Sequence, residues 1–283
     1  MARILYGRPV AEAISEDVHG RVDRLTRRGV YPALAIVRVG QNGSQTAYER
    51  TAVRRLENLG MDVQCFAFKE DIPESELLSA IERINADPLI HGCIVLLPLP
   101  GHIRSRLICS SIAPLKDVDG VTGDSISAVF LGEAGFSPCA PGSCIELLDY
   151  YGIGIKGRRV CVVGRSLVVG RPLSMLLLAR DATVTICHSD TEDLAGECRR
   201  ADILISAAGR PGLITADHVR AGQTVIDVGI TAGPDGELLG DVAFEEVSGI
   251  VSAITPVPGG IGVIAGSILA KNLVTAAEIL SAD

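Results

Sequence analysis

A strand-like run, VCVVG (160–164), gives way to a polar turn and then to GRPLSMLLLAR (170–180), a long apolar helix. A glycine at the end of a buried strand lets the chain turn sharply. The following helix then aims its free N–H groups and positive dipole end back at the turn, a geometry that holds a phosphate. The next apolar run, ATVTIC (182–187), ends at His188, Ser189 and Asp190, where a dinucleotide fold places the residue that reads the adenosine ribose. A third run, ADILISAAGRPG (201–212), ends in the small residues Ala208 and Gly209 and suits the other end of such a cofactor. The turn is not G-x-G-x-x-G, so a plain structural βα turn stands beside the dinucleotide reading.

Two further stretches carry groups able to do chemistry. AYERTAVRR (47–55) reads as a surface helix with one tyrosine, Tyr48, and KDVDG (116–120) carries two acids, of which Asp119 is the second. An acid in such a sequence is also an ordinary turn former.

The elements that would position these groups alternate. Strand candidates are 33–39, 62–68, 92–98, 159–164, 183–187, 202–207, 224–229 and 249–254, and several are continuous apolar runs. Such runs belong to strands buried on both faces, hence to a parallel sheet covered by helices. Helix candidates lie near 9–28, 44–59, 74–86, 142–151, 168–180 and 216–221, with a last one over about 261–281. The fold class is therefore α/β. A Gly, Ser and Pro-rich segment, GEAGFSPCAPGS (132–143), marks a boundary between residues 1–138 and 139–256, with the last helix free to join either.

A formal charge of −8 without any Lys- or Arg-rich run argues against a nucleic-acid partner. Neither a secretory signal nor an apolar run of membrane-spanning length is evident. The eight cysteines form no C-x-x-C pair and several sit in strand-like runs, so reduced structural thiols in a cytoplasmic protein are expected. The five histidines are scattered and no metal site is expected.

The combination VVGRSLVVGRP, ATVTICHSDT, ADILISAAGRPG, VIDVGI and ITPVPGGIG resembles the methylenetetrahydrofolate dehydrogenase/methenyltetrahydrofolate cyclohydrolase family. AYERTAVRRLENLG, GCIVLLPLP, KDVDG and PCAPGS extend the resemblance over nearly the whole chain, in the family's order. It implies a folate-binding catalytic domain (1–138 plus about 257–283), a Rossmann-like NAD(P) domain (139–256), a cleft between them and a homodimer. The reaction it implies is oxidation of 5,10-methylenetetrahydrofolate, with hydride passing to NAD or NADP. Hydrolysis of the methenyl product to 10-formyltetrahydrofolate follows in many members. Tyr48 matches the tyrosine lying against the folate, and Asp119 the acid on the pterin, whose 2-amino group and ring N–H offer two adjacent donors. Leu96, Pro98 and the loop Pro258, Gly259 and Gly260 match other folate positions. Gly164, Arg165, Ser166, Val169, Gly170, His188, Ser189, Asp190, Ala208, Gly209 and Ile230 match the cofactor site.

Departures from the family pattern are specific. The lysine four residues after the tyrosine is Ala52, and the glutamine of V-Q-L-P-L-P is Leu96. Gln45 stands where the family has a serine, Ala140 replaces a threonine, and GVIA (262–265) replaces GPMT. Arg50 is roughly 200° around the helix from Tyr48, and Arg55 roughly 10 Å along it, so neither replaces the lysine. Hydride loss needs no base, whereas attack by water needs a proton carrier. A dehydrogenase with a weak or absent cyclohydrolase is thus expected, with the bifunctional enzyme and a non-catalytic folate- or nucleotide-binding homologue as alternatives. An acidic Asp190 where many members carry lysine tilts the cofactor towards NAD over NADP.

Overall fold

In chain order, β1 (Arg3–Ile4) and α1 (Gly7–Thr26) precede β2 (Ala33–Val39), α2 (Gly43–Glu57), β3 (Asp62–Phe68), α3 (Glu74–Ala86), β4 (Gly92–Val95), α4 (Ser105–Ser110) and α5 (Gly123–Leu131). The second stretch holds α6 (Cys139–Tyr150), β5 (Arg159–Val163), α7 (Gly170–Leu178), β6 (Thr183–Cys187), α8 (Leu194–Arg200), β7 (Ile203–Ser206) and β8 (Thr224–Asp227). The short pair β9 (Thr231–Ala232) and β10 (Leu238–Leu239), then α9 (Phe244–Ser248), β11 (Ala253–Ile254) and α10 (Ile261–Leu280), complete it. These elements come from a computed structural model that describes residues 1–133 and 135–282.

The chain divides into two units. One comprises Met1–Glu12 with Pro138–Ala265, the other Ala13–Ser137 with the chain from Gly266 onward. The first is built on a parallel sheet of order β1-β11-β8-β7-β5-β6, the second on a parallel sheet of order β3-β2-β4. The sequence places residues 1–12 with the folate domain and starts the returning segment near 257. In the structure the first residues go with the six-stranded unit, because Arg3 and Ile4 pair with Ala253 and Ile254. The loop 256–260 also stays there, tied by the Gly7 amide donating to the Gly259 carbonyl at 2.8 Å.

Continuous apolar runs occupy the buried strands, as the patterning requires. β2 is central in its sheet and buried along most of its length, while its neighbour β3 is an edge with four exposed positions. Strand 92–98 shortens to β4. Leu96 makes the last ladder-like bond, to the Val37 carbonyl at 2.9 Å, and Pro98 has no N–H with which to continue. Of 249–254 only β11 pairs, because the preceding residues close the end of α9 (Ile250 N to Val247 O, 3.0 Å). The helix at 216–221 is one short 3-10 turn, Ala216–His218. Helices α4, α5, α8 and α9 were not read from sequence. Caps were the available signal for two of them, with Thr122 accepting from the Ser125 amide and Asp193 from the Gly196 amide.

α10 is long and apolar enough to cross a membrane by length and composition, which the sequence reading did not anticipate. Here it is a core helix, with Leu269, Leu273, Val274 and Ala277 nearly or fully buried. Arg21 of α1 grips its far end, bonding both oxygens of Glu278 (3.0 and 2.6 Å) and the Thr275 hydroxyl (2.7 Å). Arg21 also holds the Glu278 carboxyl below its usual range. A depressed carboxylate pKa stabilises the fold above the ordinary glutamate pKa and ceases to as pH falls through the folded value. Arg21→Ala is therefore expected to cost about 1 kcal/mol near neutrality and less in acid. Urea melts at both pH values check it.

Candidate active site

The candidate residues fall into two groups, one in each unit. In the three-stranded unit they sit at the carboxyl ends of β2 and β4, the side where parallel α/β sheets bind ligands. Gly40, at φ +77°, turns the chain out of β2, and Asn42 caps α2 by accepting from the Ser44 amide at 2.9 Å. Along α2, residues 45, 48 and 52 follow the spacing that shares one helix face. Gln45 and Ala52 are buried and Tyr48 is about half exposed (48%).

The Gln45 carboxamide reaches the chain leaving β4. Its Nε2 donates to the Pro98 carbonyl at 2.8 Å and more weakly to the Leu96 carbonyl at 3.5 Å. Leu96 is buried beside it. This contact brings the tyrosine-bearing helix and the Leu96–Pro98 segment together, whereas in the sequence Gln45 stands out only as the residue in place of the family's serine.

In KDVDG the turn former is the first acid. Asp117 is fully buried and accepts from the Val121 and Thr122 amides (3.1 and 2.8 Å) and the Ser125 hydroxyl (2.6 Å). Asp119, two residues on, is partly exposed. Lys116 is buried, its ammonium spent on the Ile84 and Asp87 carbonyls at the end of α3 (2.9 and 2.6 Å), and burial lowers its pKa.

In the six-stranded unit, the β5–α7 turn is closed so tightly that side chains are excluded. A methyl on Gly164 would be driven into the Ala207 carbonyl, and one on Gly170 into the Gly164 carbonyl. Gly164 also adopts φ +127°, a region that disfavours other residues. Ser166 Oγ accepts from the Val169 amide at 3.1 Å and organises the head of α7. A cavity of about 310 Å³ opens above this turn, and Gly164, Arg165, Ser166, His188, Ser189 and Ala208 all line it. Asp190 joins through an ion pair with Arg165 (3.0 Å). A second cavity, about 240 Å³, brings Ile230 together with Pro258, Gly259 and Gly260.

Two buried acids behind these cavities were missed from sequence. Asp241 accepts from the amides of Ala208 (2.6 Å), Gly209 (3.2 Å) and Arg210 (2.8 Å) and from the Ser206 hydroxyl (3.0 Å), and so shapes the whole turn after β7. Asp227, at the end of β8, accepts from the amides of Gly229, Asp241 and Val242 at 2.9–3.0 Å and lines the second cavity. Glycine is required next to both, since a methyl on Gly229 meets Asp241 and one on Gly240 meets Asp227. The available signal was an acid ending an apolar strand (VIDVG), an expensive place for a charge without dedicated donors. Burial lifts the Asp227 carboxyl to about 6, assisted by the Asp241 charge and against the pull of its three amides.

Residues 138–281 match the family described as tetrahydrofolate dehydrogenase/cyclohydrolase, NAD(P)-binding domain, and residues 5–119 its catalytic domain. The bifunctional protein FolD of Carboxydothermus hydrogenoformans is 46% identical over 99% of each chain. The crystal structure of bifunctional FolD from Campylobacter jejuni superposes with a TM-score of 0.96 at 38% identity, covering 99% of both chains. That of the Trypanosoma brucei dehydrogenase-cyclohydrolase, complexed with NADP and an inhibitor, gives 0.91 at 34% identity over 98% of both.

A raised aspartate pKa means that the folded protein binds this proton more tightly than the unfolded chain. Asp227 therefore favours folding below about pH 4, and that contribution is lost as pH rises through about 6. Asp227→Asn lacks the slope. The stability difference between the two proteins is expected to move against the wild type by about 3 kcal/mol between pH 4 and 7. A pH-independent difference in urea melts contradicts it.

Proposed function

The chain belongs to the tetrahydrofolate dehydrogenase/cyclohydrolase family, and from that premise we propose that it oxidises 5,10-methylenetetrahydrofolate to the methenyl form with hydride transfer to a nicotinamide dinucleotide. The observation that carries the reading is the side-chain-excluding turn at Gly164 and Gly170, beside a cavity lined by six of the expected cofactor residues, Gly164, Arg165, Ser166, His188, Ser189 and Ala208. Tyr48 and the partly exposed Asp119 supply the folate side, a ring surface and a carboxylate for the pterin's paired donors. The methylene carbon gives its hydride to the nicotinamide ring, leaving a cation shared by N5 and N10. No proton leaves, so positioning does most of the work. A cytoplasmic homodimer belongs to the same proposal.

Hydrolysis of that cation is a separate demand. Water must lose a proton and a ring nitrogen must gain one. Ala52 and Leu96 are buried and apolar where the family pattern has lysine and glutamine, so we expect this second step to be slow. The second reading, an enzyme that keeps both steps, is favoured by the bifunctional relative at 46% identity. For the cofactor, Asp190 pairs with Arg165, the cation that a 2′-phosphate would need, which supports NAD over NADP.

Following methenyl absorbance with excess 5,10-methylenetetrahydrofolate tests both points. The methenyl product is expected to accumulate, decaying no faster than it does without enzyme. NAD is expected to give the higher kcat/KM. Asp190→Ser frees Arg165 and is expected to raise NADP use about tenfold, by removing a charge repulsion of about 1–2 kcal/mol. Prompt conversion to 10-formyltetrahydrofolate supports the bifunctional reading instead.

A further inference from the structure

The cavity of about 310 Å³ above the Gly164 turn has a wall beyond the expected cofactor residues. Arg210, in the turn after β7, lines it together with Leu213 and, from the head of α8, Leu194. The backbone of Arg210 is held on both sides. Its amide donates to the buried Asp241 carboxylate at 2.8 Å, and its carbonyl accepts from the Leu213 amide at 3.2 Å. The residue is exposed, and its guanidinium makes no hydrogen bond or ion pair among the described residues. Arg165, the other arginine of the cavity, is instead paired with Asp190 at 3.0 Å. Leu194 and Leu213 are partly buried and pack on the hydrophobic core behind them, so they are fixed apolar walls.

Resting on the nicotinamide-cofactor reading above, we infer that Arg210 is an adenine-binding residue, its guanidinium stacking on the base that Leu194 and Leu213 enclose. The other parts of the cavity suit other parts of the dinucleotide. The turn at Gly164 and Gly170, with the head of α7, suits the phosphates, and Ser189 and Asp190 suit the adenosine ribose. What remains of the lining is apolar (Val163, Ala207, Leu194 and Leu213) with one planar cation, Arg210. A flat, uncharged heteroaromatic base fits that chemistry. Apolar walls take it out of water, and a guanidinium stacks on its π face. A phosphate against the same walls would lose water without gaining donors from them. Because Asp241 fixes the backbone of Arg210, the long side chain starts from a set position, which lowers the cost of ordering it on the base.

The test uses the full chain with Arg210→Ala, Arg210→Lys and Arg210→Tyr, each of which keeps the backbone amide that Asp241 holds. Calorimetric binding of ADP-ribose, which carries adenine and both phosphates but no nicotinamide, reads the site directly. Arg210→Ala is expected to weaken ADP-ribose and NAD about 5–30-fold. Nicotinamide mononucleotide lacks the base and is expected to bind within about twofold of wild type, with folate KM and melting temperature unchanged, a split that a general loosening of the unit does not produce. Arg210→Lys keeps the charge without the plane and is expected to bind ADP-ribose as weakly as Arg210→Ala. Arg210→Tyr keeps a plane without the charge and is expected to regain most of the affinity. The reverse pattern, rescue by lysine and none by tyrosine, puts the guanidinium on a phosphate and overturns the inference. So does ADP-ribose affinity that Arg210→Ala leaves within about twofold of wild type. A wild type that binds neither NAD, NADP nor ADP-ribose is a different failure, that of the nicotinamide reading, and removes this inference with it.

Discussion

Two buried carboxylates hold the candidate cofactor site in shape. Asp241 gathers three consecutive backbone amides and a hydroxyl after β7, and Asp227 holds the amides of Asp241 and Val242 in turn. A buried charge is tolerable only with such a set of donors. The same donors fix the turn at residues 208–210, one wall of the larger cavity, and the chain around residues 227–229, part of the smaller. Glycines 229 and 240 follow from this, as do Gly164 and Gly170 from the closeness of the β5–α7 turn. The candidate phosphate-binding turn at Gly164 and Gly170 is thus shaped by close backbone packing.

The folate half is built differently, by a helix face laid against a strand end. Gln45, Tyr48 and Ala52 share that face, and Gln45 ties it to the chain at Leu96 and Pro98. Asp117 takes the structural work of its loop, and Asp119, two residues on, is partly exposed. The chemistry proposed here divides along the same line. Hydride transfer asks for position. Proton transfer asks for a titratable group beside the carbon, and Ala52 and Leu96 supply none.

Much of the architecture was legible because strand formers stand between clear breaks, and the central strands are apolar without interruption. β2, β3 and β6 carry the boundaries read from sequence, since each is a run of strand formers between clear breaks. Partnering was not legible. Nothing in MARILYG says that Arg3 and Ile4 lie against Ala253 and Ile254, the pairing that puts residues 1–12 with the six-stranded unit. In the site, glycines and exposed acids announced themselves through spacing. Asp227, Asp241 and Gln45 did not, because what singles them out is burial and the donors around them, which only the fold creates.

The central claim is that this chain lacks a proton carrier and nothing else for the second step. Ala52→Lys combined with Leu96→Gln restores the pair that the family pattern holds, and methenyl hydrolysis by this double variant is the most direct test. The account predicts a wild type near the spontaneous rate and a variant at least tenfold above it, with general acid–base help worth about 10²-fold or more when well placed. Dehydrogenase turnover should change little. A wild type that already hydrolyses the methenyl form quickly, with no gain from the added lysine, contradicts it.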